Sequence, residues 1–116
     1  MTRRAGLTPM AHFVLRASDG DAPLPELADA WLRAGKQQSR LDQALPALAR
    51  ALADLVADGL VEVRRFRTWP AGWDGGALVD GDRLDADTRH PGTWLPGPAR
   101  DGLLVARLTA RGREHR

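Results

Sequence analysis

The side chains with chemical reach in this 116-residue sequence form three groups: arginines, clustered acids and tryptophans. Arginines concentrate in two segments, with Arg64, Arg65 and Arg67 in VEVRRFRTW and Arg107, Arg111, Arg113 and Arg116 near the end. A guanidinium is always charged and presents a planar fork of donors, which suits it to phosphate and carboxylate groups. Acids recur at Asp80, Asp82, Asp85 and Asp87 in DGDRLDAD, with His90 just beyond. That spacing misses a calcium loop, because Gly81 falls inside the first pair and no glutamate occupies the bidentate end position. A solvated turn is the plainer reading. His12, His90 and His115 make no i,i+4 metal pair, and no nucleophile elbow, phosphate-binding glycine loop or glutamate pair occurs. The absence of cysteine excludes thiolate catalysis, disulfides and cysteine zinc sites. The expectation is therefore a protein that is no enzyme and takes no cofactor or metal. Trp69, Trp73 and Trp94 stand among glycines and prolines, where no helical or strand stripe gives them a buried place. They could close a small loop core, or contact a partner or apolar ligand.

Charge divides the chain unevenly. Residues 1–60 carry seven basic and seven acidic side chains, residues 61–73 three arginines and one glutamate, residues 74–101 six acids and three arginines, and residues 102–116 four arginines and one glutamate. Two basic segments thus flank an acidic one, although the whole chain has a formal net charge of only +2. Helical spacing appears three times. Leu7, Met10, Ala11 and Val14 share one face behind a Thr8 cap and Pro9, and Leu24, Leu27, Ala28, Trp31 and Leu32 share another before Gly35. Leu41, Ala44, Leu45, Leu48, Leu52, Leu55 and Val56 mark a third helix over about 39–57, interrupted by Pro46. After Asp58-Gly59 the period changes to two in LVEVRRFRTW and again in LLVARLT, which predicts two antiparallel strands. Between them, glycines and prolines over 70–102 predict an extended loop without helix. Thr109 would cap a last short helix, Ala110 to His115.

Three pieces resemble winged helix-turn-helix regulators of the MarR and PadR type: LTPMAHFVLRA as the opening helix, ALARALADLVADGLVEVRR as recognition helix and first wing strand, and LLVARLTARGRE as the second wing strand. The resemblance implies an α+β fold of three helices followed by a two-stranded antiparallel wing, one domain over 1–116 with an insertion at 68–102. It also implies a transcription regulator that binds double-stranded DNA as a homodimer. On that template Gln38, Ser39, Arg40, Gln43 and Arg50 would meet base edges, and Arg64, Arg67, Arg107, Arg111 and Arg113 would meet phosphates. The plainer reading of the same arginines is a charged ribbon that resists edge-to-edge pairing. Three features depart from the family pattern: the roughly 35 residues between the wing strands, their acidity, and the lack of a long dimerisation helix after Thr109.

A second reading follows from the departures. The chain would then be a protein-interaction or small-molecule-binding module whose tryptophan-bearing insertion does the work without DNA, with Trp69, Trp73 and Trp94 as contacts. The course of the insertion separates the two, since an insertion folded back across the third helix favours the second. No apolar run approaches a spanning length and no secretory cleavage pattern occurs, which makes a soluble cytoplasmic protein the expectation.

Overall fold

Local chemistry sets where each element of the main chain starts and stops. The computed structural model describes residues 8–34, 41–95 and 102–115. Helix α1 (Pro9–Ala17) begins at Thr8, whose Oγ1 accepts the Ala11 amide at 3.0 Å, and ends where the buried Ser18 hydroxyl donates to Val14 O at 2.7 Å. Gly20 and Asp21, at φ 114° and 59°, turn the chain sharply into β1 (Ala22–Pro23), which leads straight into α2 (Leu24–Ala34). Helix α3 (Leu41–Ala57) carries Pro46 on its exposed side. It closes with Gly59 at φ 76°, where the Leu60 amide reaches Leu55 O at 2.9 Å and the Gly59 amide reaches Val56 O at 3.0 Å. This paired closure satisfies two carbonyls at the helix end and needs the left-handed residue that glycine supplies.

Strand β2 (Val61–Phe66) then pairs antiparallel with β4 (Leu103–Leu108) over six residues, from Val61 opposite Leu108 to Phe66 opposite Leu103. Alternation gives the ladder two faces. Val61, Val63, Leu104, Ala106 and Leu108 join Val14, Leu15, Leu24, Leu27, Leu48, Leu52 and Leu55 of the three helices in one core. The other face presents Glu62, Arg64, Phe66, Val105 and Arg107.

The expected three helices followed by a two-stranded wing is corrected here. The described residues form five helices and a four-stranded antiparallel sheet of order β1-β4-β2-β3, with strands and helices interleaved. Strand β1 falls between α1 and α2 and pairs with β4, Pro23 opposite Val105. On the far edge, β3 (Ala77–Leu78) pairs with Arg64 and Arg65 of β2. The expected helix-free loop is corrected as well, because the insertion contains α4 (Gly81–Thr88) and single 3₁₀ turns at Trp73–Gly75 and Pro91–Trp94. Only Leu84 and Thr88 of α4 are buried, so the helix has almost no apolar stripe and depends on packing against α3 rather than on its own sequence. No helix among the described residues is long and apolar enough to cross a membrane.

Helix α5 (Ala110–His115) docks on the turn after α3. Thr109 Oγ1 accepts the Gly112 amide at 3.0 Å and donates to Gly59 O at 2.6 Å, while the Thr109 amide donates to Leu60 O at 3.1 Å. A Cβ on the buried Gly112 would stand 2.0 Å from Leu60 O, closer than any real contact. Gly112→Ala should therefore lose roughly 1–3 kcal/mol in urea unfolding, as overpacked sites do. Gly59→Ala, where a Cβ meets nothing nearer than 3.9 Å, should lose only the left-handed backbone term of about 1 kcal/mol. Equal losses at the two positions would refute the close approach at Gly112.

Candidate functional site

Two parts of the insertion treat the sheet differently. Residues 68–76 cross its outer face, and residues 79–95 complete the core on the inner face. On the outer side the half-buried Trp69 and Trp73 rings lie 4.8 and 5.7 Å from the Phe66 ring, tilted by 57° and 44°. Gly76 admits this approach, since a Cβ there would fall 2.5 Å from Phe66 Cζ. The Arg107 guanidinium stacks over Trp73 with Cζ 4.3 Å from the ring centre, and that of Arg64 lies 5.4 Å away. Both positions are fixed by hydrogen bonds. Arg107 Nε and Nη2 donate to the two Asp21 carboxylate oxygens at 2.5 and 2.7 Å, and Arg64 donates to Glu62 Oε2 at 2.6 Å and to Trp73 O at 3.2 Å. The two-point grip from Arg107 holds the Asp21 carboxyl below its usual range, against the opposing effect of burial. The same bonds raise Arg107, which stays charged at every relevant pH.

On the inner side, Val79 and Leu84 enter the core and the Val79 amide donates to Val63 O at 2.9 Å. Trp94 is only 1% exposed, and its indole nitrogen donates to Thr88 O at 2.9 Å. Helix α4 and the Pro91–Trp94 turn pack against α3 and α2. The insertion thus runs across the inner helices as well as the outer face.

An open cleft of about 1090 Å³ lies where these two halves diverge. Arg65, Arg67 and Thr68 from the β2 end line it together with Arg83 and Asp87 of α4 and with Gly72, Gly75 and Gly102. Arg65 is ion-paired with Asp87. A smaller groove of about 640 Å³ sits beside the Phe13 and Trp31 rings, which meet edge to face at 5.1 Å, with His12 and Arg16 at its margin. Among the described residues no three His, Asp or Glu side chains converge as metal ligands.

The described residues among those singled out in the sequence fall in different settings. Gln38, Ser39 and Arg40 lie outside the described residues. Gln43 and Arg50 are exposed on α3, and Arg50 pairs with Asp54 at 3.4 Å one turn on. Arg64 and Arg107 are drawn over Trp73, whereas Arg67, Arg111 and Arg113 are exposed. Trp69 and Trp73 cover the sheet, and Trp94 belongs to the core. Sequence reading missed Asp21 as the partner of Arg107 and Arg83 as a wall of the cleft. The turn run Ser18-Asp19-Gly20-Asp21 marked the place of the first but not its partner, and no periodicity marked the second. No family model matches the chain, and no curated protein or solved structure is significantly similar to it.

Asp21→Asn tests the outer-face anchor, because asparagine keeps the shape and the tolerance of a left-handed backbone but not the charge. A carboxyl lowered by folding adds stability that is complete above its unfolded pKa of about 3.9 and is lost as pH falls through the folded value. The variant should be less stable at pH 7 by on the order of 1 kcal/mol, the scale of a partly exposed ion pair. Urea midpoints measured from pH 7 to pH 2 should converge at the acid end. A gap independent of pH would remove the charge pair as its cause.

Proposed function

We propose that this protein is a cytoplasmic binding module for a small molecule or protein partner, with residues 68–102 rather than α3 supplying its working surface. The observation that carries this reading is the stacking of Arg107 between Asp21 and Trp73. To reach a DNA phosphate, Arg107 would give up its partly exposed ion pair with Asp21, worth on the order of 1 kcal/mol, and a cation–π contact worth about 0.5–1 kcal/mol. Arg64 is similarly engaged, with Glu62 and with backbone carbonyls of the insertion. The packing of α4 and Trp94 against α3 and α2 points the same way, because it builds the insertion into the core and gives it a fixed surface of its own.

Sequence-specific duplex binding by a homodimeric transcription regulator is the second reading. What favours it is the exposed row of Gln43, Ala47 and Arg50 on α3, together with the exposed Arg67, Arg111 and Arg113. A titration of the full chain with mixed-sequence duplex DNA at low ionic strength separates the two. The first reading expects no saturable binding and no effect of Arg50→Ala. Saturable binding that falls steeply with salt and is lost in Arg50→Ala or Gln43→Ala would overturn it.

A further inference from the structure

We propose that the cleft between the end of β2 and α4 is a binding site for a phosphate-bearing small molecule, with Arg67 and Arg83 as its phosphate contacts. This deepens the binding-module reading and rests on it. Three guanidinium groups and one carboxylate line the cleft, and the carboxylate of Asp87 is already committed to Arg65. Among the described residues, Arg67 and Arg83 have no carboxylate within ion-pair distance. Two like charges held around one cavity repel each other, and an anion between them converts that repulsion into attraction on both sides. Arginine also favours oxyanions that accept two parallel bonds, a geometry that phosphate offers from several directions.

Placement of the two side chains supports a ligand bound from both walls. Arg67 follows the last residue of β2, whose pairing with Leu103 fixes its backbone, and Arg83 stands in α4, which is held against α3. The two arginines reach the cleft from different elements, so their meeting there is a product of the fold rather than of a local charge run. Gly72 and Gly75 also line the cleft. A Cβ on Gly72 or Gly75 would meet nothing within 4 Å, so packing does not demand glycine at either position. The Gly75 amide is bonded to Gly72 O at 3.0 Å, so the further donor in the lining is the Thr68 hydroxyl. At about 1090 Å³ the cleft matches the upper range of small-molecule sites, room for a phosphate with an organic body attached.

Titration calorimetry of the full chain at low salt with inorganic pyrophosphate, and in parallel with citrate and a mixed-sequence duplex, tests this assignment. The expected result is saturable pyrophosphate binding that weakens at least tenfold in Arg67→Ala and in Arg83→Ala and is unchanged in Arg113→Ala. All three positions are exposed, and thermal unfolding checks that each variant folds. No saturable pyrophosphate binding, equal weakening by Arg113→Ala, or citrate binding as tight as pyrophosphate would overturn the phosphate site. If the duplex stays unbound in those cases, the binding-module reading survives. Duplex binding lost in Arg50→Ala would instead overturn that reading and this site together.

Discussion

The ladder between β2 and β4 has apolar side chains on both faces, and a chain of this size has few ways to cover both. Three helices bury the inner face. Phe66 and Val105 leave an apolar patch on the outer one, 3% and 0% exposed in the finished fold. Exposing both side chains would sacrifice about 1.5–3 kcal/mol each, a large share of what a domain of this size has to spare. Something must therefore cross the outer face, and the segment between the two strands is the only described one that does. The insertion is accordingly part of the fold's construction and not an appendage to it.

That requirement explains the odd composition of residues 68–95. Flat aromatic rings at Trp69 and Trp73 cover much area with few ordered torsions, and the guanidinium groups of Arg64 and Arg107 lie against the Trp73 ring while their nitrogens bond Glu62 and Asp21. Acids fall on the exposed side of α4, where Asp82 and Asp85 face solvent, and Asp87 is turned inward to hold Arg65. The acidity that the sequence concentrates in this segment is thus divided between solvation and one structural pair.

Helices α1 to α3, the two long strands and the short last helix were legible in the sequence because each is written in a repeated signal: a Thr-Pro cap, leucines by threes and fours, alternation by two. The short strands were not legible, since two residues are too few to show any period, and Pro23 argues locally against a strand while being tolerated at an edge. Helix α4 was hidden by its polarity, with Leu84 its one large buried apolar residue. The arginines were legible as residues, but the partners that hold Arg64 and Arg107 were not. Whether a strand arginine points to a phosphate or folds over a ring depends on Asp21, 86 positions earlier, and on Trp73. No local pattern carries that information.

Both margins of the sheet end in two-residue strands. One ends in a proline that lacks the donor another strand would need, and the other carries the exposed Leu78 for the length of a single dipeptide before the chain leaves the plane. The long strands are therefore both interior to the sheet, covered on their outer sides at Arg64 and Arg65 of β2 and at Val105 and Ala106 of β4. A molecule with a formal charge of only +2 gets little mutual repulsion to keep copies apart. Its guard against edge-to-edge association is geometric, built into how briefly the sheet is open at either side.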